Sequence, residues 1–209
     1  VHTRKFRVLF FYSFLAFFCG TALSFSAYAE EATTKKVEKA KPQANPKVLM
    51  KTDLGDMTIE LFAKKAPVTV ENFLAYIDQG FYDGTIFHRV IPGFVVQGGG
   101  FRFDFSKKET MKPIVNESSP ELKNLVGTLS MARLPSPDSA TSQFFINLVD
   151  NESLDIGKGS AGYAVFGKIV SGIEVLRKIE QEPQGLFKRN PTFTNTPNIK
   201  PRIIKITRL

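Results

Sequence analysis

The sequence predicts a mainly β protein, a closed antiparallel β-barrel of about eight strands capped by two α-helices. Short alternating apolar runs recur from Lys47 to the end, segments rich in Gly, Pro, Ser and Asp separate them, and only two stretches carry helical spacing. With few long crossovers available for parallel strands, neighbouring runs must return antiparallel, and closure leaves no edge open.

Each element has its own signal. VLMKT and MTIELF flank the Gly-containing turn at Asp53-Leu54-Gly55-Asp56 and read as a hairpin. Ala66-Pro67-Val68-Thr69 opens a helix with Pro near its first position; Phe73, Leu74 and Ile77 recur at helical spacing, and Gly80 stops it. Strands follow at Thr85 to Val90, Phe94 to Gln97, Gly127 to Ala132, Gln143 to Leu148 and Tyr163 to Ile169. A second helix, Gly172 to Gln181 with Val175, Leu176 and Ile179 inward, leads through a Pro- and Asn-rich loop to a last strand, Arg202 to Arg208.

The first 29 residues read as a cleavable secretory signal: a basic start (His2, Arg4, Lys5, Arg7), an uncharged apolar run, and Ala27-Tyr28-Ala29 before Glu30. The rival is an uncleaved anchor, since an apolar run of roughly 20 residues can span a bilayer. Residues 30–46, charged and rich in Ala, Thr and Pro, lack the apolar surface to order themselves and read as a disordered linker. Residues 47–209 form the folded domain. Removing the signal leaves 25 Lys and Arg against 20 Asp and Glu, a formal +5 in place of +8. That balance, without an Arg-rich stripe or an aromatic RNA-reading motif, argues against nucleic-acid binding. Cys19, the single cysteine, leaves with the signal, as suits a domain exported to an oxidising compartment.

His88 is then the only histidine, so no zinc site of the usual kind can be built and no metal is expected. A Ser-His-Asp hydrolase lacks its G-x-S-x-G elbow, and Gly98-Gly99-Gly100 lacks the Lys-Ser or Lys-Thr of a phosphate loop and reads as a tight turn. Phe87-His88-Arg89-Val90-Ile91 is more informative, because period two puts Arg89 on one face with Phe87 and Ile91. Such an arginine either lays its stem over apolar surface with its head in water, or grips a ligand. Gln143, Phe145 and Asn147 share a face opposite Phe144 and Ile146; an aromatic between two amides suits the wall of a partly wet pocket, or an ordinary barrel exterior.

In order along residues 48–209, Phe87-His88-Arg89-Val90-Ile91-Pro92-Gly93-Phe94, Gln97-Gly98-Gly99, Met131-Ala132-Arg133, Ser142-Gln143-Phe144-Phe145-Ile146, Leu154-Asp155 and Val165-Phe166-Gly167-Lys168 resemble the cyclophilin-type peptidyl-prolyl cis-trans isomerases, most nearly their bacterial periplasmic branch. The resemblance implies a cyclophilin-like barrel and isomerisation of X-Pro bonds in exported proteins, without a cofactor. It implies a proline pocket walled by Phe94, Val95, Phe145 and Leu154, with Tyr163 at its edge. Arg89 matches the arginine that approaches the prolyl nitrogen, Gln97 the glutamine near the substrate carbonyl, and His88 the histidine beside the site. Ala132, Arg133 and Gln143 fall on the groove for the peptide backbone. The partners implied are unfolded or extended proline-containing polypeptides. The signal predicts a periplasmic location with no stable membrane association once it is cleaved, and a monomer is expected because no long apolar stripe is left over after the barrel and helices. A peptide-holding chaperone or assembly module using the same groove is the alternative. Val95 stands where many members carry Met, Arg133 where many have Asn, and Ser153 where many have Trp or Phe; the resemblance ties the indole at that last position to cyclosporin, so its replacement by Ser153 implies weak inhibition.

Overall fold

The computed structural model describes residues 45–157, 159–185 and 195–209. The expected signal (1–29), the expected linker up to residue 44 and the middle of the Pro- and Asn-rich loop lie outside the described residues. In chain order the elements are β1 (Lys47–Thr52), β2 (Gly55–Leu61), α1 (Pro67–Asp78), β3 (Arg89–Ile91), β4 (Val95–Gly98), β5 (Thr128–Met131), β6 (Phe144–Asn147), β7 (Val165–Ser171), α2 (Ile173–Gln181), β8 (Gln184–Gly185), β9 (Thr196–Pro197) and β10 (Ile203–Arg208). Single 3-10 turns occupy Pro137–Ser139 and Glu152–Leu154.

The protein is mainly β. Eight strands form one curled antiparallel sheet in the order β10-β1-β2-β7-β5-β6-β4-β3, while β8 and β9 pair apart from it. Among the described residues no ladder joins the two ends of the sheet; only isolated bonds link the segment ahead of β3 to the start of β10 and the residues before it. Ile86 bridges Arg202, the Ile203 N–H donates to the Thr85 carbonyl at 2.8 Å, and the Phe87 N–H donates to that of Pro201 at 2.9 Å. These bonds satisfy backbone groups that a bare edge would leave open.

Alternation fills the interior. Val48, Met50, Met57, Ile59 and Leu61 of the first hairpin are fully buried, as period two requires of a sheet with one dry face. The α1 helix begins at Pro67 without a side-chain cap of its own; the Glu117 carboxylate accepts from the N–H groups of Val68 (3.1 Å) and Thr69 (2.7 Å) instead, meeting two of the helix's orphan donors. Its Phe73 packs against the rings of Tyr82, Phe144 and Phe166, with centroids 5.1 to 5.6 Å apart. The α2 helix buries Val175, Leu176 and Ile179 and touches β2, β3 and β4.

One expected strand is cut short. Thr85 to Val90 does not run continuously: Thr85 and Ile86 make isolated bridges, and β3 starts at Arg89. Phe87 and Arg89 therefore do not share a face. Phe87 is fully buried in the core while Arg89 is only partly covered, because the chain turns between its bonds to the segment before β10 and its ladder with β4.

Candidate active site

Three strands that lie side by side, β3, β4 and β6, set the site. Their registers align Arg89 with Gln97 and Gln97 with Phe145, giving a transverse row of three side chains. Phe144 and Ile146, on either side of Phe145, are fully buried in the core, so the row stands on the opposite face of the sheet. There it helps wall a hollow of about 250 Å3, lined by Arg89, Phe94, Val95, Gln97, Ala132, Arg133, Phe145, Leu154 and Tyr163.

A directed chain of hydrogen bonds runs along the wall. Arg89 Nη1 donates to Gln97 Oε1 at 3.2 Å, and Gln97 Nε2 donates to Gln143 Oε1 at 3.0 Å. Because a guanidinium has only donors, it fixes which end of the Gln97 amide faces it, and the amide must turn its NH2 the other way. Partial burial lowers the Arg89 pKa from its ordinary value, with the Tyr163 hydroxyl acting in the opposite sense. Arginine stays charged under such a shift, so the hollow contains a partly desolvated cation bonded to a neutral amide.

The apolar walls are tied from behind. Phe94 sits in the turn after β3, where Gly93 takes φ +70°, and the Gly93 N–H donates to Glu180 Oε1 of α2 at 2.8 Å. Burial would raise the Glu180 carboxyl, but the Gly93 N–H and the Arg177 guanidinium outweigh it and hold the group below its usual range. The Phe94 carbonyl accepts from Asn151 Nδ2 at 3.0 Å and from the Leu148 N–H at 2.9 Å. Asn151 Nδ2 also donates to Asn147 Oδ1, and the Asn151 carbonyl accepts from the Leu154 N–H. Asn124 closes the network, accepting from Ser130 Oγ at 2.7 Å and donating through Nδ2 to Asp155 Oδ1 at 2.9 Å. The Leu154 carbonyl accepts from the Tyr163 N–H, and the Tyr163 ring stands edge-on to Phe145 at 5.4 Å.

Nine of the eleven residues singled out in the sequence surround the hollow; His88 and Gln143 do not line it. His88 is 5% exposed, with its ring 4.7 Å from that of Phe101, and burial aided by the Arg89 charge lowers its imidazole to about 4. Gln143 instead braces Gln97. Asn147, expected on the pocket face, is fully buried in the amide network beneath it. The glycine run is less a turn than a set of close approaches: a Cβ on Gly98 would lie 2.8 Å from the Phe87 ring, and one on Gly100 2.6 Å from the Gln143 side chain. Sequence reading missed Asn124, Asn151 and Glu180, which carry no motif because each acts through a backbone group or amide far along the chain. Among the described residues no group of three or more His, Cys, Asp or Glu side chains comes together to hold a metal ion.

Comparison with known proteins gives the arrangement a context. The family model for cyclophilin type peptidyl-prolyl cis-trans isomerases matches residues 47–208. A peptidyl-prolyl cis-trans isomerase of Acinetobacter baylyi is 50% identical over 74% of this chain and 82% of its own length. Peptidyl-prolyl cis-trans isomerase A of Dickeya dadantii is 58% identical over 64% of this chain and 70% of that protein, and isomerase B of Escherichia coli is 52% identical over 64% and 83%. Among solved structures, a Cryptosporidium parvum cyclophilin type isomerase superposes with a TM-score of 0.65 at 31% identity, covering 79% of this chain and 98% of the other. A second structure of that isomerase, determined in the presence of the dipeptide Ala-Pro, gives 0.63 at 32% identity, covering 77% and 97%. Since the matched span runs from the first residue of β1 to the last of β10 and so includes every strand of the large sheet, this chain belongs to the cyclophilin-type peptidyl-prolyl cis-trans isomerases.

Proposed function

We propose that this isomerase turns X-Pro bonds without covalent chemistry, that Arg89 is its principal catalytic group, and that its substrates are extended proline-containing segments of exported proteins. The observation that carries the reading is the Arg89 guanidinium, partly desolvated and bonded to Gln97 in the wall of a small hollow otherwise lined mainly by apolar side chains. Rotation about a peptide bond faces a barrier of ~18–20 kcal/mol because nitrogen shares its lone pair with the carbonyl. At the twisted transition state that sharing is lost and the nitrogen becomes a base. A donor aimed at it favours the transition state over either planar ground state. A rate gain of ~10⁶ requires about 8 kcal/mol. The donor supplies a few kcal/mol of that, on the scale of one oxyanion-hole donor, and seating of the ring and anchoring of the backbone supply the rest.

In this reading Phe94, Val95, Phe145 and Leu154 seat the proline ring and Tyr163 closes the edge. Gln97 has one amide N–H left for the substrate carbonyl, and Ala132, Arg133 and Gln143 hold the flanking backbone. His88 flanks the site, buried against the Phe101 ring and next to Arg89 in the chain. Rotation breaks no σ-bond, so the step needs no cofactor. That a structure of the Cryptosporidium parvum relative was determined in the presence of Ala-Pro supports a proline-containing occupant. The test is a proline-limited refolding assay with Arg89→Ala beside the parent. A hundredfold or greater loss of acceleration is expected, and equal acceleration by both would remove Arg89 from the mechanism.

Export to the periplasm belongs to the same proposal and rests on residues 1–29, with residues 30–46 as the tether to the folded domain. Among the described residues no helix is long and apolar enough to cross a membrane. N-terminal sequencing of periplasmic material should begin at Glu30; retention of Val1 on membrane-bound protein would favour an anchor.

A further inference from the structure

We infer that Arg133 is a specificity-determining residue that biases the enzyme towards X-Pro bonds flanked by aspartate or glutamate. The inference rests on the reading of the hollow as the proline seat and names the class of client it prefers. Arg133 lines that hollow, and its position is fixed. Its Cζ lies 4.5 Å from the centroid of the Tyr163 ring, its Nε donates to the Gly162 carbonyl at 3.0 Å, and its Nη1 donates to the carbonyls of Leu134 at 3.0 Å and Pro135 at 3.3 Å.

Every one of these partners is neutral. The ion pairs among the described residues use Lys65, Lys123, Arg177, Arg202 and Arg208, and none uses Arg133. Its Nη2 has no hydrogen-bond partner among the described residues. The same holds on the other side of the hollow, where Arg89 is bonded to the neutral Gln97. The lining thus contains two guanidiniums and no carboxylate. A concave surface carrying charge of one sign draws the opposite charge and repels its own. Because the guanidinium plane of Arg133 is already held, little side-chain freedom is lost when a carboxylate meets its open edge.

The preference should show in KM. A flanking carboxylate carries the same charge in the cis, trans and twisted forms of its neighbour, so its attraction to Arg133 stabilises ground and transition states alike. Such uniform binding changes KM and leaves kcat unaltered. An arginine that only braced the Gly162-Tyr163 backbone would act equally on every peptide.

The experiment uses the full folded enzyme and short Pro peptides with Asp, Ala or Lys immediately before the proline in one set and immediately after it in another. In at least one set, KM for the Asp peptide should be about threefold or more below that for the Lys peptide at low salt, and the ratio should shrink in about 0.5 M salt. Arg133→Gln should bring the ratio closer to one, leaving only the share owed to Arg89, and Arg133→Lys should retain it. A ratio of one in both sets for the parent, or a ratio undiminished in Arg133→Gln, overturns the inference. The parent measurement decides the matter even if Arg133→Gln does not fold. Arg89→Ala on the uncharged peptide separates the two claims: undiminished turnover there would sink the reading of the hollow itself, whatever the charge ratio.

Discussion

Arg89 and His88 are neighbours in the chain with opposite surroundings, and their charges are set accordingly. Arg89 opens on the hollow and keeps its charge, whereas burial beside that charge lowers the His88 imidazole to about 4, against about 6.5 in an unfolded chain. Between those values the unfolded chain binds more protons than the folded one. Stability is therefore whole above about pH 6.5 and is lost as pH falls towards 4, by roughly 3 kcal/mol for this group in full. Denaturant midpoints of the parent and of His88→Gln, compared at about pH 7 and pH 4.5, check this. The variant should lose less stability over the interval, and identical slopes would show that the imidazole is not held neutral. Ser153 yields a second expectation. It is exposed on the Glu152–Leu154 turn and lines a separate cavity of about 780 Å3, not the hollow. The aromatic wall and indole donor that many family members have at that position are missing, so cyclosporin should inhibit weakly. Sub-micromolar inhibition of the purified enzyme would contradict that.

At the scale of elements, the site depends on how β3, β4 and β6 are laid together. Alternation in the sequence gives the face on which Gln97 and Phe145 stand, and the apolar neighbours Phe144 and Ile146 give the direction of the core. It does not give the pairing of β4 with β6, nearly fifty residues apart, which only the curled sheet decides. The two-residue strands β8 and β9 were equally hidden, being too short for any period to register. Phe87 misled for the opposite reason: an unbroken alternating run concealed a change of hydrogen-bonding partner at His88. Gly100 shows what the glycine run does for these elements. The Cβ of Gly100→Ala would fall 2.6 Å from Gln143 Cγ and Nε2, so the whole Gln143 side chain must move. Folding should therefore lose about 1–3 kcal/mol, as overpacking commonly costs. Moving Gln143 releases Gln97, and kcat/KM should fall by about tenfold, on the scale of one hydrogen bond. Unchanged turnover with a displaced Gln143 would show that the Arg89-Gln97-Gln143 chain has no part in catalysis.

For the molecule as a whole, the division of labour is between a packed interior and a working exterior. The core is filled by the rings of Phe73, Tyr82, Phe144 and Phe166 and by aliphatic strand residues, while the hollow lies on the opposite face of the sheet. The mainly β class, the eight strands of the large sheet and both helices follow from composition and period, since they express burial alone. The chemistry was legible only through the ordered motifs, because an arginine among apolar residues has ordinary structural uses. An enzyme of this kind should speed refolding of a proline-limited client, whose uncatalysed step takes ~10–100 s, when present far below the client's concentration. If acceleration requires equimolar protein, the groove holds chains rather than turning them over.

The transverse row has one more consequence. Arg89 and Gln97 are made early, but the strand bearing Phe145 and the amide of Gln143 follows only after a long stretch of further synthesis; Gln97 and Gln143 alone are 46 positions apart. A nascent chain still missing β6 has its guanidinium but no floor beneath it. Under the proposed mechanism the site is therefore complete only once β6 has joined β4, and no isomerase activity precedes that pairing.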